Sequence, residues 1–305
     1  MKHVSTSKKF QITIDRTDYI LHTMHYKKGG EEHYGYFPDF LTGINHVITW
    51  GKKAKNMSPT VGGDTDKAGK RNLTVMRKNG IKTDNIVRIN PSMKVSDDKQ
   101  ILELTKNHLP PMGGFTYDTG ANFIYTFDPD ITAIVRPGDC TVSIIRGLTS
   151  NGQGVLGLLH AGREHLDANL PYRAIIRLLE LGINPESIQI GVTPSMEDYF
   201  IPAQTSLPHD KNALIDLQKW INTGFAKIHS DKHQGIREQR IYLDIRGMLL
   251  HQFEESGIPK NSKHLRVYGI DTYSSEGEGF SHRRATIEKT PERNGRFLVA
   301  AQLAA

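Results

Sequence analysis

The chain has 305 residues, of which 37% are hydrophobic and 24% are charged, and its formal net charge is +6 at pH 7. This apolar content excludes a disordered chain, and the single cysteine excludes a disulfide framework and a four-thiolate zinc site. No run of about 18 apolar residues occurs, so no membrane-spanning helix is expected, and residues 1–15 lack the apolar core of a secretory signal. The expected location is the cytoplasm.

The basic excess lies within residues 1–90, whereas residues 91–305 are close to neutral. A basic surface suits nucleic acid or phosphorylated ligands. The lysines are scattered, however, and neither an RNA-binding aromatic motif nor an arginine-rich arm accompanies them. We therefore interpret the basic excess as a solvated face and expect no nucleic-acid partner.

The predicted elements begin with short alternating stretches at residues 10–14 and 19–21, which are typical of strands. We expect residues 1–60 to form an N-terminal strand region packed on a main domain that spans residues 61–305. The first predicted helix opens at Gly62 and ends near Gly80.

The rest of the chain alternates between apolar runs and amphipathic segments, separated by Asp-Pro, Pro-Gly and Asn-Gly turns. This order predicts a mixed α/β fold rather than a strict βαβ alternation. Neither GxGxxG nor a Walker pattern occurs, so a dinucleotide fold or a P-loop is not supported. The predicted strands are Ala121–Thr126, Ile131–Arg136, Thr141–Arg146, Val155–His160, Ser187–Val192, Leu265–Ile270 and Phe297–Gln302, and the predicted helices are Pro171–Leu181, 211–229 and 243–256.

The densest chemical signal is Asp139-Cys140, followed by His160 and two small residues. Cys140 opens one predicted strand and His160 closes the next, so in an antiparallel pair both lie at one edge of the sheet. Such a pair supports a thiolate nucleophile activated by imidazole or two ligands of a zinc ion. The alternative is a buried thiol and a structural histidine, although sites are common at such strand ends. Asp139 could orient His160, bind a ligand or cap a turn.

A second signal lies near the C-terminus. Arg283 and Arg284 are adjacent and can clamp an anion through planar, bidentate donors. Plain solvated charge is the alternative for this arginine pair. Phe280 could stack on a base or pack into the core.

Five short motifs occur in the order found in the laccase-domain family, which the chain resembles over about residues 60–303. That family was named for multicopper polyphenol oxidoreductases, and its members are regarded as zinc-dependent purine nucleoside phosphorylases with an adenosine deaminase side activity. The resemblance implies a single α/β domain with a central mixed sheet flanked by helices, of the cytotoxic-necrotizing-factor-like fold. The motifs are Asp139-Cys140, His160-Ala161-Gly162, Gly191-Val192-Thr193-Pro194, Phe280-Ser281-His282-Arg283-Arg284 and Asn294-Gly295-Arg296.

The resemblance also implies a zinc site. The family holds its metal by the cysteine of the Asp-Cys motif and the histidine of the His-Ala-Gly motif, which correspond to Cys140 and His160. A second histidine comes from an upstream motif, but here Pro91 or Ser92 stands in its place. The chain is therefore a divergent member at the site itself.

Three histidines are candidates for the missing ligand: His282, His165 and His108. We favour His282, because it lies within a motif that the family brings to the site, and we expect its ring within about 6 Å of the Cys140–His160 midpoint. We expect His165 to point away, along the start of the following helix.

The implied reaction is phosphorolysis of a purine nucleoside, with zinc activating a water or polarising the purine. Arg71, Arg283 and Arg284 are the candidate cradle for phosphate. We expect the loop 280–284 to fold over the Cys140–His160 edge, so that replacing Arg283 or Arg284 weakens substrate use with little change in stability.

Three alternatives remain open. The first is a metal-free hydrolase with Cys140 as nucleophile and His160 as base. The second is a non-catalytic descendant that binds a nucleoside or a protein partner. The third, a multicopper oxidase, is the least favoured, because the 14 histidines form no close cluster in the sequence.

Overall fold

A computed structural model describes residues 34–37, 39–49, 55–62, 65, 67–90, 98–109, 117–202, 217–233, 236–274 and 279–304. The strands predicted at residues 10–14 and 19–21, and the positions of Pro91 and Ser92, lie outside the described residues. None of the helices in the described part of the chain has the length and apolar character needed to span a bilayer.

The strands and helices are numbered in chain order. The strands are β1 (Tyr34–Gly35), β2 (Ile44–Thr49), β3 (Ile86–Ile89), β4 (Ile101–Glu103), β5 (Tyr117–Thr119), β6 (Phe123–Thr126), β7 (Thr132–Val135), β8 (Thr141–Leu148), β9 (Gly154–Ala161), β10 (Gln189–Val192), β11 (Asp198–Pro202), β12 (Ala226–His233), β13 (Ile236–Asp244), β14 (Leu265–Val267) and β15 (Val299–Leu303). The helices are α1 (Ala68–Lys78), α2 (Arg163–Asp167), α3 (Leu170–Glu180), α4 (Leu217–Asn222), α5 (Ile245–Glu255) and α6 (His282–Ile287).

Two six-stranded mixed sheets form the centre of the molecule. The strand order is β1-β2-β15-β7-β3-β5 in the first sheet and β14-β10-β8-β9-β6-β4 in the second, and a third sheet has the order β11-β13-β12. The predicted class, a mixed α/β domain with sheet flanked by helices, is confirmed. The structure differs in dividing the predicted central sheet into two.

The core lies in three layers, because strands buried on both faces send alternate side chains to opposite sides. One apolar cluster joins the two large sheets and includes Val299 of the first and Val142 and Leu158 of the second. A second cluster packs the outer face of the second sheet against α2, α3 and α5. A third packs the outer face of the first sheet against α1.

Residues 34–37 and 39–49 contribute strands β1 and β2 to the first sheet and also contact the second sheet. Strand β2 pairs with β15 from Ile44↔Leu303 to Ile48↔Val299, and therefore lies inside the first sheet. The Phe37 ring crosses to the second sheet, where an added Cβ at Gly191 would lie 2.5 Å from the ring.

Gly191→Ala is therefore expected to destabilise the protein by about 1–3 kcal/mol, because the new methyl group overpacks the contact with Phe37. Urea unfolding measures the change. Gly154→Ala is the matched control, since its Cβ would lie 3.4 Å from the nearest atom, an ordinary contact. Equal stability of the two variants would contradict the prediction.

The helix predicted over 211–229 is wrong in its second half. Helix α4 ends at Asn222, and Gly224 adopts a left-handed conformation with φ +76°. The chain then forms β12, which pairs with β13 from Ala226↔Leu243 to His233↔Ile236. Residues 211–216 lie outside the described part. The other long helices match their predictions: α3 ends before Gly182 (φ +80°), and α5 lies within 243–256.

Candidate active site

The register of β8 and β9 places Cys140 and His160 at one edge of the second sheet. Thr141 pairs with Ala161 and Val142 with His160. Since directly opposed residues share a face and alternate residues along a strand do too, Cys140 and His160 belong to the face that looks toward the first sheet. The hairpin thus places the two residues at one edge of the sheet, as the sequence pattern predicts.

Gly162 allows the thiol to sit against the backbone of the neighbouring strand end. A Cβ at position 162 would lie 3.0 Å from Cys140 Sγ and 3.6 Å from His165 Nδ1. The glycine after His160-Ala161 is therefore needed for close approach rather than for backbone conformation, because its φ of −93° is open to any residue.

A buried amide chain orients His160. The His160 Nδ1–H donates to Asn122 Oδ1 at 3.1 Å, and Asn122 Nδ2 in turn donates to Gln100 Oε1. The backbones follow the same path, since His160 N donates to Asn122 O at 2.8 Å and Asn122 N to Gln100 O at 3.0 Å. This network places the proton of the neutral ring on Nδ1 and leaves the lone pair on Nε2.

His165 turns back toward His160, so the expectation that it points away is wrong. It lies at the third position of α2, where its Nδ1 accepts the N–H of the capping residue Gly162 at 3.1 Å. That bond brings the His165 ring to 5.1 Å from the His160 ring, centroid to centroid, in an edge-to-face arrangement. Gly162 has no side chain, so this bond is only the return half of a capping box, and the Ser/Thr-x-x-Glu/Gln pattern that would have predicted it is absent from this part of the sequence.

His282 and His108, the other two candidates, have different surroundings. His282 is exposed, and its Nδ1 donates to Asn294 Oδ1 at 3.2 Å. Its Cβ lies 3.3 Å from the Cβ position of Gly138, two residues before Cys140. His108 accepts the N–H of Thr105 at 3.2 Å within its own turn.

Burial keeps both central groups neutral. The pKa of the Cys140 thiol is raised to about 12, first by burial and then by the charges of Asp139 and Glu164, against a smaller opposing effect of Arg296. The pKa of His160 lies well below its usual value because of burial and the neighbouring His165. Near pH 7, this edge of the sheet therefore holds a protonated thiol and an uncharged imidazole.

Alkylation tests this protonation state. With a chelator present, Cys140 is expected to react with iodoacetamide at pH 8 at least about 100-fold more slowly than in the urea-unfolded chain, because only the thiolate reacts. The rate is expected to rise as the pH approaches the raised pKa. Equal rates in the folded and unfolded chains would contradict a neutral thiol.

Asp139 has a different function from the orienting role considered for it. Its Oδ1 accepts the hydroxyl of Thr272 at 2.7 Å, and its Oδ2 accepts the backbone N–H of Arg283 at 2.7 Å. The carboxylate thus joins the Cys140 segment to the start of α6, while Asn122 orients His160.

The predicted phosphate cradle is largely occupied by the protein's own backbone. Arg283 is 6% exposed, donates from Nη2 to Phe200 O at 2.7 Å, and lies over the rings of Tyr199 and Phe200. Arg283 is therefore not plain solvated charge, and its burial argues against the expectation that its replacement leaves stability nearly unchanged.

Arg284 and Arg71 also bond to backbone carbonyls. Arg284 donates from Nη1 to Tyr273 O and from Nη2 to Gly279 O, both at 2.7 Å. Arg71 donates from Nη2 to Asn56 O at 2.5 Å. Phe280 packs its ring directly on Gly295, where an added Cβ would collide with the ring. These contacts hold the loops that border the site.

Arg296, the last residue of the Asn-Gly-Arg motif, was not predicted as a site residue. Its Nη1 lies 3.2 Å from the Cβ position of Gly138. Burial lowers the pKa of Arg296, and the charges of Asp139 and Cys140 oppose that shift. A cation therefore lies beside the Cys140 segment.

The donor chemistry at Cys140 and His160 fits two ligands of zinc. A thiol and an Nε2 lone pair are typical zinc ligands, and a hydrogen bond from the other ring nitrogen is the usual support. Among the described residues, no three His, Cys, Asp or Glu side chains are arranged to hold a metal ion. The described residues therefore do not complete a three-ligand set, including that of Cys140, His160 and His282.

Comparison with known proteins gives a family and a fold. Residues 52–304 match the family model described as multi-copper polyphenol oxidoreductase laccase. No curated protein matches the chain.

Three solved structures share the fold. The hypothetical protein YfiH of Bacillus licheniformis is 13% identical, with a TM-score of 0.67 over 91% of this chain and 98% of that one. YlmD of Geobacillus stearothermophilus is 17% identical, with a TM-score of 0.64 over 92% and 99%. NMB0706 of Neisseria meningitidis is 12% identical, with a TM-score of 0.60 over 90% and 100%. At these identities, the likeness shows the fold alone.

Proposed function

Because the chain belongs to the multi-copper polyphenol oxidoreductase laccase family, we propose that it is a zinc-dependent purine nucleoside phosphorylase. Its site is the edge of the second sheet that carries Cys140 and His160. The observation that carries the proposal is the fixed orientation of His160, whose Nδ1–H bonds to Asn122 and whose Nε2 lone pair is left available at the sheet edge that also carries Cys140. A cytoplasmic location is part of the proposal, since that compartment keeps a lone thiol reduced.

In the proposed reaction, an oxygen of phosphate attacks C1′ of the ribose and the bond from C1′ to the purine nitrogen breaks. The electron pair leaves with the purine, which takes up a proton, and ribose 1-phosphate is the second product. Zinc, when bound, would act as a Lewis acid that polarises the purine. Adenosine deamination is a proposed side activity.

The protein's own residues support this chemistry by orientation. Asn122 and Gln100 hold the His160 ring in one tautomer, and Gly162 allows the Cys140 thiol to approach the end of the neighbouring strand. Cys140 and His160 are the two proposed metal ligands. The raised pKa of Cys140 argues against an unassisted thiolate nucleophile, and therefore against the metal-free hydrolase.

The test combines metal analysis with a nucleoside screen. The purified protein, Cys140→Ser and His160→Gln are analysed for zinc and incubated with adenosine, inosine or guanosine, each with and without phosphate. We expect stoichiometric zinc and phosphate-dependent release of the base in the wild type, and loss of both in the two variants. His251→Gln is the matched control, because His251 lies on α5 and faces Glu255 at 3.4 Å; it should retain both.

The other outcomes separate the alternatives. Nucleoside binding without zinc or turnover would replace the enzyme by a binding protein. Hydrolysis that needs Cys140 but neither zinc nor phosphate would replace it by a cysteine hydrolase.

A further inference from the structure

Arg296 is a cation beside the Cys140 segment that has no role in the proposed reaction as described above. The segment that carries it runs beside the Cys140 segment, since Phe297 N donates to Pro137 O at 3.1 Å. An added Cβ at Gly138 would lie 3.2 Å from Arg296 Nη1 and 3.4 Å from its Cζ. The guanidinium is therefore fixed two residues from Cys140, against a position where only glycine fits without displacing it.

The side-chain hydrogen bonds of Arg296 use one of the three guanidinium nitrogens. Its Nη1 donates to Asn294 Oδ1 at 2.5 Å and to Gly295 O at 2.9 Å. Within the described part of the chain, Nη2 and Nε make no hydrogen bond. Arg283 and Arg284 differ, because both nitrogens Nη1 and Nη2 of each donate to protein oxygens.

A neighbouring amide fixes the direction of the guanidinium. Asn294 Oδ1 accepts from Arg296 Nη1 and also from His282 Nδ1 at 3.2 Å, so one amide oxygen orients both side chains. The same amide oxygen requires the Nδ1–H form of His282, whose Nε2 is then an acceptor, so the guanidinium alone supplies donors for an anion. Arg296 backbone N donates to Asn56 Oδ1 at 2.9 Å, which fixes the base of the side chain.

We propose that the Arg296 guanidinium is the binding site for an oxyanion at the Cys140–His160 edge, and that on the proposed function this oxyanion is phosphate. A planar guanidinium with two adjacent donors left over matches two oxygens of a tetrahedral anion. The carboxylate of Asp139 is the nearby opposing charge, and it is already bonded to Thr272 and to the Arg283 amide. Arg296, the proposed phosphate ligand, thus lies outside the predicted cradle of Arg71, Arg283 and Arg284.

The test measures binding of inorganic phosphate to the intact protein by calorimetry, in buffer free of phosphate and sulfate. We expect Arg296→Met to lower the affinity by about tenfold or more, because a charge-assisted hydrogen bond is lost, and Arg296→Lys to give an intermediate loss. Arg293→Met is the matched control, since Arg293 is 61% exposed and faces Glu288 at 3.5 Å; its affinity should not change. Inosine affinity is measured in parallel and should stay the same in all three variants.

Absence of phosphate binding in the wild type, or an unchanged affinity in Arg296→Met, would overturn the inference. If Arg296→Met fails to fold, Arg296→Lys decides in the same way. Phosphate binding that depends on Arg296 in a protein that cleaves no nucleoside would remove the proposed function and leave the oxyanion site. Phosphorolysis with an unchanged KM for phosphate in Arg296→Lys would remove the oxyanion site and leave the proposed function.

Discussion

Replacement of Arg283 by Met is expected to lower the free energy of unfolding by about 3 kcal/mol. Arg283 Nη2 donates to Phe200 O at 2.7 Å, and the guanidinium carbon lies 4.7 Å and 5.0 Å from the ring centroids of Tyr199 and Phe200. Met retains the apolar stem but leaves the buried carbonyl without this donor and removes both cation–π contacts. Urea unfolding at neutral pH measures the loss.

Arg293→Met serves as the control for removing a positive charge nearby. Its exposed side chain faces only Glu288 among the ion pairs of the described residues, so a change within about 0.5 kcal/mol is expected. If Arg283→Met is equally mild, the guanidinium does not hold the β11 segment to the start of α6.

Replacement of Asn122 by Leu is expected to weaken zinc binding by about 10- to 100-fold, the usual effect of losing the partner of a ligating histidine. Asn122 is fully buried, and its Oδ1 is the acceptor that keeps the proton of His160 on Nδ1. Leu removes that acceptor and frees the ring to exchange tautomers. Competitive zinc titration measures the affinity.

Asn122→Asp is the conservative partner of this experiment. Its carboxylate retains an acceptor for the His160 Nδ1–H, and Gln100 can rotate its amide to donate instead of accept. We expect this variant to bind zinc within a few-fold of the wild type. Nitrogen NMR should show the His160 proton on Nδ1 in Asn122→Asp but not in Asn122→Leu. An unchanged tautomer in Asn122→Leu would show that packing alone orients the ring.

The fold class and the central pair were open to prediction because both depend on local patterns. Apolar runs of strand length mark β8 and β9, and a short turn between them makes the pairing antiparallel. This pairing alone places Cys140 and His160 at one edge of the sheet, independently of the other strands. The hairpin β12–β13 was missed because the apolar residues at the start of β12 continue the helical spacing of α4, which contains Trp220. Only Gly224 interrupts that spacing.

The surroundings of the pair were not open to prediction, because they come from distant segments. Asn122 reaches His160 only through the register of β6 on β9, where Phe123 pairs with Leu159. The burial of Arg283 depends on the rings of β11, which approach from more than 80 positions away. The adjacent arginines resemble solvated charge in sequence, and only tertiary packing separates the roles of Arg283 and Arg296.

The β8–β9 hairpin fixes the positions of Cys140 and His160 in the sheet. Eight residue pairs separate the turn from Cys140. They run from Leu148↔Gly154 at the turn to Thr141↔Ala161 at the far end. Side chains alternate along each strand, so a single residue inserted into either one would send Cys140 or His160 through the sheet to the helix-covered face. The register that the distant turn sets therefore determines on which face of the sheet Cys140 and His160 lie. The chemistry of the site consequently depends on the length of this hairpin as much as on the cysteine and the histidine themselves.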